Sequence, residues 1–212
     1  VINEIIFLCI FCNFKYKMSS LLKISWIIPL RSWSKRIFKK NIKLLNWKPL
    51  FTYTLDEALK SKYINNIIIS TDDLDVIKII KNDYKKYLDS KKIIILNRDK
   101  YLSWDNSTTV DVILDVLEKN IDIENIILLQ WTSPLRDSIN IDESVKLFIN
   151  NKMNNNIISI NKVNNSPYWQ YKIDNNWILK NLFNKKYLTY RSQDLPYTYI
   201  PNWAIFISSS MV

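Results

Sequence analysis

The sequence predicts an α/β fold, a mostly parallel sheet with helices on both faces, and three observations predict it. Short isoleucine-rich runs such as Ile24–Leu30, Asn66–Ser70 and Asn125–Gln130 are almost wholly apolar rather than alternating, as strands buried on both faces are. Segments with apolar residues at helical spacing separate them, the rhythm of crossovers between parallel strands. The 212 residues, 48% apolar and 24% charged, fit one folded domain with room for a small appendage. A chain of this size can bury roughly 70% of its unfolded surface, enough for a core without covalent staples.

Residues 1–17 differ in character from the rest of the chain. Ile5–Phe11 is a short apolar stretch behind acidic Glu4 and has no small-residue cleavage site, so it does not read as a signal peptide. Met18 precedes the first clear strand, which makes 1–17 an upstream extension of a domain over 18–212. Cys9 and Cys12 form a lone C-x-x-C with no second pair and no His in the chain, too little for a metal or redox site.

From Ile24 the order is strand, loop, helix, repeated. Ile24–Leu30 is a strand and residues 31–41 a basic loop. Pro49–Ser61 is helical by the spacing of Leu50, Leu55, Ala58 and Leu59. Asn66–Ser70 is a buried strand, and Asp72–Tyr87 a helix whose early carboxylates complement its dipole. Thr71, Asp72 and Asp137 read as helix caps. Lys92–Leu96 is a β-branched run, and Thr108–Leu117 a helix with Val110, Ile113, Leu114 and Leu117 inward. Asn125–Gln130 is a strand and Asp137–Asn150 a helix. Beyond Asn151 come short strands such as Ile157–Val163 with Asn-rich turns, a small lobe over about 151–200, and then a last strand, Ala204–Ser208.

Composition excludes several functions. No apolar run approaches the roughly 18 residues of a membrane span. Zero His removes imidazole acid–base chemistry and imidazole metal ligands. The net charge of +10 favours anionic partners, but the basic residues are spread along a chain rich in Ile, Asn and Lys. That distribution fits compositional bias better than a nucleic-acid patch, so neither a nucleic acid nor a membrane is expected as partner. The sharpest number is Gly 0, where average usage would give about 15, beside eight Trp.

In open α/β sheets ligands bind beyond the carboxyl ends of the strands. After the first strand stand Arg31, Ser32, Ser34, Lys35, Arg36, Lys40 and Asn41. The second leads to Thr71, Asp72 and Asp73, the third to Arg98, the fourth to Gln130, Thr132, Ser133 and Arg136. Cations with hydroxyls and amides on one edge suit a polyphosphate: the cations offset its charge, and the neutral donors orient it.

Those residues sit in motifs. Ile27–Leu50, IIPLRSWSKRIFKKNIKLLNWKPL, resembles the nucleotide-binding signature of the acylneuraminate cytidylyltransferases, the CMP-sialic acid synthetases. STDD (Ser70–Asp73), LSWDNSTTVDVIL (Leu102–Leu114), LLQWTSPLR (Leu128–Arg136), SPYW (Ser166–Trp169) and RSQDLPYTYIPNWA (Arg191–Ala204) continue the resemblance in the family's order over about 23–208. It implies a Rossmann-like nucleotide-diphospho-sugar transferase fold with a small dimerisation lobe. The implied reaction joins CTP and a nonulosonic acid to give the CMP-sugar and pyrophosphate, in the cytoplasm, by a homodimer dependent on Mg²⁺.

By the same resemblance Arg31 and Lys40 are the catalytic, phosphate-binding cations, and Leu30, Ser34 and Asn41 complete the nucleotide loop. Arg98 and Thr109 fall where the family recognises cytosine and ribose. Gln130 matches the sugar-contacting glutamine, and Arg191, Gln193 and Asp194 match a lobe motif that receives the acceptor, whose carboxylate calls for an arginine. No metal ligand is assigned: the family carries them on an Asp-x-Asp segment after the final strand, past Val212, and Asp72 and Asp73 do not match it. TSPLR and SPYW lean towards sialic or legionaminic acid over pseudaminic acid or Kdo. The competing function class is a nucleotide-binding remnant without turnover, or a basic RNA-binding module; against the module, the aromatics lack the patterning of base-stacking sheets.

The departures are mostly at glycines. Ser32, Trp33, Trp47, Trp104 and Trp203 stand where the family has Gly, Phe38 and Lys39 replace Pro-Gly, and Leu30 replaces Ala. An indole in a phosphate loop occupies the space the anion needs. Zero Gly beside these Trp fits UGA codons that some bacterial codes read as glycine and others as tryptophan. Trp169 stands where the family itself has Trp.

Overall fold

A computed structural model describes residues 6–11, 23–34, 36–104, 106–119, 123–151, 153 and 155–209. Most of the 1–17 extension, Met18 and Cys12 lie outside the described residues. The chain divides into two compact units: Phe7–Ile158 with the segment from Trp203 onward, and a lobe over Ser159–Asn202.

The strands are β1 (Ile6–Phe11), β2 (Ile24–Leu30), β3 (Leu44–Leu45), β4 (Lys48–Pro49), β5 (Asn66–Thr71), β6 (Ile93–Asn97), β7 (Asn125–Leu129), β8 (Asn155–Lys162), β9 (Tyr171–Ile173), β10 (Leu179–Asn181) and β11 (Tyr199–Ser209). The helices are α1 (Leu50–Lys60), α2 (Leu74–Asp83), α3 (Lys85–Asp89), α4 (Thr109–Lys119) and α5 (Ser138–Asn150). The seven-stranded sheet has the order β1-β8-β11-β7-β2-β5-β6. β2 pairs in parallel with both β5 and β7, and β5 with β6, while β11 runs antiparallel to β7. The chain therefore winds outward from β2 in both directions, and the ends of β2 and β7 mark the switch point where such sheets bind ligands.

Helices cover both faces because the strands present apolar side chains on both. Trp26, Ile28 and Leu30 of β2, Ile67 and Ile69 of β5 and Ile127 and Leu129 of β7 pack with α1, α2 and α5 through Phe51, Leu55, Val76, Ile80, Val145 and Phe148. Their alternating neighbours Ile27, Ile68, Ile126 and Leu128 meet Ile113 and Val116 of α4 on the other face. Each fully buried Ile or Leu contributes about 1.5–3 kcal/mol relative to exposure, which is why this sheet needs no disulfide.

The structure corrects the sequence reading in four places. Val110 and Leu114, expected inward on the helix over 108–117, are exposed, and Val112, Ile113 and Val116 are its buried apolar side chains. The helix expected over 72–87 breaks at Tyr84, whose ring is buried in the core and whose hydroxyl donates to Asp56 Oδ1 at 2.6 Å; burial raises the Tyr84 pKa, with the Asp56 carboxylate adding to it. The cap of α2 is Asp73, whose Oδ1 accepts from the backbone N–H of Asp75 and Val76, and not Asp72. The last strand begins five residues earlier than Ala204. Asp137 does cap α5, in a reciprocal box with Asn140.

The lobe is built differently. β9 and β10 form an antiparallel hairpin, and Tyr168 meets Phe183 and Tyr187 at ring-centroid distances of 5.1 and 4.4 Å. The Trp169 indole N–H donates to the Tyr187 carbonyl at 2.9 Å. Within Ser159–Asn202 only Ser159, Ile160 and Leu195 are buried.

Candidate functional site

At the carboxyl ends of β2 and β7 lies a cavity of about 310 Å³. The basic loop, Arg98, the start of α4 and the end of β7 wall it, so Arg31, Ser34, Lys40, Asn41, Arg98, Thr109 and Gln130 share one lining. Seven of the sequence-predicted site residues are thus brought together from four separate segments.

The loop is wired from beneath. Asn41, almost wholly buried at the start of a 3₁₀ turn over Lys40–Ile42, donates from Nδ2 to the Arg31 carbonyl at 2.7 Å and to Asp73 Oδ2 at 3.1 Å. It therefore ties the two ends of the loop together. Lys40 Nζ sits 4.9 Å from the centre of the Trp131 ring, a cation–π arrangement. Partial burial lowers the Lys40 pKa, and the nearby Arg36 and Arg31 charges lower it further. Cations gathered at one cavity repel one another, and a bound anion would relieve that repulsion.

Arg98 is 5% exposed. Its Nη2 donates to the Ser70 carbonyl at 2.7 Å and its Nε to Ser70 Oγ at 3.1 Å. Burial pushes its pKa down to about 10, with Asp72 opposing and Arg31 reinforcing that shift; the guanidinium stays cationic at neutral pH. Thr109 opens α4 behind a capping pair in which the Thr108 N–H and hydroxyl donate to Asp111 Oδ2 at 2.7 and 2.9 Å. Ser107, Thr108 and Thr109 thus line the cavity at the positive end of a helix dipole.

Gln130 is placed by a residue whose role its sequence position does not reveal. Arg136, 2% exposed, donates from Nη1 to the Gln130 carbonyl at 3.1 Å and the Ala204 carbonyl at 2.6 Å, and from Nη2 to Thr54 Oγ1 at 2.8 Å. Burial brings its pKa down to about 10, with Glu57 opposing.

Four predicted residues are elsewhere. The Leu30 side chain is wholly buried in the core, so it cannot line the cavity; it delivers the backbone to Arg31. Arg191, Gln193 and Asp194 lie in the lobe on a short 3₁₀ turn, where Arg191 Nε donates to Asp194 Oδ2 at 2.7 Å in an exposed ion pair. Sequence reasoning did not single out Ser107, Thr108 or Trp131 as cavity lining. The T-x-x-D spacing of Thr108 and Asp111 was the available signal. Trp33, half-exposed, also lines the cavity.

Residues 25–201 match the family model described as cytidylyltransferase. The chain is 33% identical over 186 residues to an N-acylneuraminate cytidylyltransferase of Streptococcus agalactiae, covering 86% of this chain and 42% of that protein. It is 31% identical over 157 residues to a CMP-N,N'-diacetyllegionaminic acid synthase of Legionella pneumophila, covering 72% and 64%. A pseudaminic acid cytidylyltransferase of Campylobacter jejuni is 28% identical, with 87% and 77% covered. The chain thus spans less than half the length of the streptococcal relative. A solved CMP:2-keto-3-deoxy-manno-octonic acid synthetase complexed with CTP shares the fold at TM-score 0.58 and 16% identity, covering 89% of this chain and 74% of that one. With the cavity at the sheet's switch point and the family pattern running through nearly all of the described chain, the protein belongs to the cytidylyltransferase family.

Proposed function

We propose that this protein transfers the CMP group of CTP to a nonulosonic acid, giving the CMP-sugar and releasing pyrophosphate. The observation that carries the reading is the convergence of Arg31, Lys40 and Arg98 with Ser34, Asn41, Thr109 and Gln130 around one cavity. Similarity to relatives named for N-acylneuraminate, legionaminic acid and pseudaminic acid supports the acceptor class.

In this reading Arg31 and Lys40 face the triphosphate. The sugar's anomeric oxygen bonds to the α-phosphorus, the bond from that phosphorus to the α–β bridging oxygen breaks, and the hydroxyl proton is released. Charge grows on the α-phosphoryl group and the departing pyrophosphate, and cations already in place stabilise it without reorganising. Ser34 and Asn41 orient the nucleotide, with Leu30 contributing backbone only. Arg98 and Thr109 hold the cytosine and ribose, and Gln130 contacts the sugar. Arg191, Gln193 and Asp194 receive the acceptor, Arg191 through its carboxylate.

A divalent cation, Mg²⁺ by resemblance, belongs to this chemistry, where it would neutralise phosphate charge. Among the described residues no group of three acidic or cysteine side chains could hold one, and the cavity lining carries no carboxylate. These residues do not furnish its ligands, and no step is routed through it. A homodimer formed through the lobe is part of the proposal, supported by the exposed Ile173, Leu179, Leu182, Phe183 and Ile200. Among the described residues no helix is long and apolar enough to cross a membrane, and we place the enzyme in the cytoplasm, where CTP is made. The acceptor leans towards sialic or legionaminic acid.

The test is pyrophosphate release from CTP by the full-length protein, with and without N-acetylneuraminic acid, legionaminic acid, pseudaminic acid and Kdo. Release that depends on a nonulosonic acid supports the proposal; salt-sensitive RNA binding without turnover contradicts it.

A further inference from the structure

We infer that Asp72 and Asp73, adjacent carboxylates at the end of β5, are positioning residues that brace the two ends of the nucleotide loop. Ser32 donates its backbone N–H to Asp72 Oδ1 at 2.8 Å and its hydroxyl to Asp72 Oδ2 at 2.6 Å. Asp73 Oδ2 accepts from Asn41 Nδ2, the group that also holds the Arg31 carbonyl, while Asp73 Oδ1 caps α2. Two residues after Asp73, Asp75 Oδ2 accepts from Lys39 Nζ at 2.5 Å. The start of α2 therefore clasps the loop at Ser32, at Lys39 and at Asn41, with Arg31, Ser34 and Lys40 beside or between those points. Burial would raise the Asp72 pKa, but the Ser32 hydroxyl and N–H outweigh it and hold the carboxyl below its usual range, so the clasp is charged at neutral pH. Both Asp72 oxygens are engaged by Ser32, which accounts for a carboxylate beside the cavity without giving it a metal. Cations crowded in one loop repel one another, and these contacts hold the loop in place against that repulsion.

The inference rests on the proposed function for its purpose but not for its test. Amide hydrogen exchange over residues 31–42 is measured in the full chain for Asp72→Ala, Asp72→Asn and Asp73→Ser. Serine keeps a cap oxygen for α2 but cannot also reach Asn41. Asp72→Ala is expected to speed exchange in the loop by about tenfold or more, as loss of a charge-assisted pair of bonds does. Exchange in β5 and β7 should be unchanged, with Asp72→Asn intermediate through its one remaining acceptor. Asp73→Ser should release the Asn41 end at an unchanged melting temperature. Loop exchange equal to that of the parent in both Asp72→Ala and Asp73→Ser overturns the inference. Absence of CTP binding by the parent protein would instead sink the proposed function, and the exchange result would still stand.

A separate observation carries a second inference. We propose that positions 47, 177 and 203 are glycine in the protein as its own cells make it. All three have left-handed backbone, with φ of 65°, 63° and 61°. Each indole projects into solvent, 90%, 85% and 62% exposed, so burial of the ring does not explain the conformation. Asn46 and Trp47 are the two loop residues of the β3–β4 hairpin, where Leu45 pairs with Lys48 and both φ values are positive; that turn favours Asn-Gly. Trp177 is the third residue of a loop closed by the Asp174 N–H donating to the Ile178 carbonyl at 3.1 Å, the left-handed position where three-residue hairpins place glycine. Trp203 interrupts β11 with a positive φ, the mark of a bulge. Trp177 enters this set on backbone geometry alone. Trp169, by contrast, uses its indole N–H, and Trp131 its ring face. Peptide mass mapping of the natural protein across the three sites decides it: glycine at all three, with tryptophan at 169, is expected, and tryptophan at 47 or 177 overturns it.

Discussion

The two groups of polar residues assigned to the reaction are held in opposite ways. At the cavity, Asn41 and Arg98 of its lining, and Arg136 behind Gln130, are buried and each makes two or three hydrogen bonds to backbone or neighbouring side chains. In the lobe, Arg191 and Asp194 are exposed and form an ion pair with each other, three residues apart on one turn. The first arrangement fixes geometry before a ligand arrives, as transition-state stabilisation by preplaced charge requires. The second leaves an arginine free to exchange its partner for another carboxylate at little cost, because an exposed ion pair is worth about 0–1 kcal/mol. In the proposed reaction, nucleotide chemistry and acceptor capture would draw on different physical resources within one chain.

Mutations should separate the two regions, and the largest effect belongs to the cavity. Arg31→Ala and Lys40→Ala should each lower kcat/KM for CTP about 10²–10³-fold, with the melting temperature almost unmoved because both side chains sit at the cavity surface. Steady-state kinetics beside thermal melts check this; a large loss of stability would reassign them as structural.

Arg136 should behave in the reverse way. Arg136→Leu leaves the Gln130 and Ala204 carbonyls and the Thr54 hydroxyl without their donor. The expected cost is about 2–4 kcal/mol, read as a fall in melting temperature of roughly 5–15 °C. Differential scanning calorimetry measures it, and a shift under ~2 °C would show that these groups find other partners.

A smaller effect tests the electrostatics of the loop. Lys40 has a lowered pKa, so its charge is lost as pH rises through a value below the ordinary lysine range. If CTP binds the charged form, as proposed, affinity should be full below that pKa and decline above it. In Lys40→Arg the decline should move to higher pH, since a guanidinium stays charged. Titrating CTP affinity from neutral into alkaline solution gives the answer, and identical profiles would remove Lys40 from the anion site.

The smallest change in stability is expected at the lobe. Arg191→Ala should shift folding free energy by no more than ~0.5 kcal/mol while raising KM for the acceptor and leaving that for CTP alone. A matching rise in both KM values would erase the distinction between the regions.

The fold was legible in the sequence because buried parallel strands leave an unmistakable trace: Ile24–Leu30, Asn66–Thr71 and Asn125–Leu129 are apolar on both faces, and α1, α4 and α5 have one apolar side each. Seven candidate residues were legible as neighbours because such sheets bring strand ends together at one edge. What the sequence did not display is which polar residue holds which. Asp72 and Asp73 are neighbours in one motif, yet one clasps Ser32 and the other caps α2 while holding Asn41, a division decided by the path of a loop some thirty to forty residues upstream. Arg136 likewise reads as one more cation of the sheet edge, and only tertiary packing turns it inward. The break at Tyr84 was invisible for the same reason: its helical spacing is good, and the buried hydroxyl bond to Asp56 comes from another helix.

The central claim is that the cavity binds CTP and passes its CMP group to a nonulosonic acid. Pyrophosphate release by the full-length protein, followed with CTP alone and with CTP plus N-acetylneuraminic or legionaminic acid, tests it most directly. Release only when the acid is present, lowered about 10²–10³-fold in Lys40→Ala, is the predicted result; CTP bound at the cavity with no pyrophosphate released for any nonulosonic acid would contradict it.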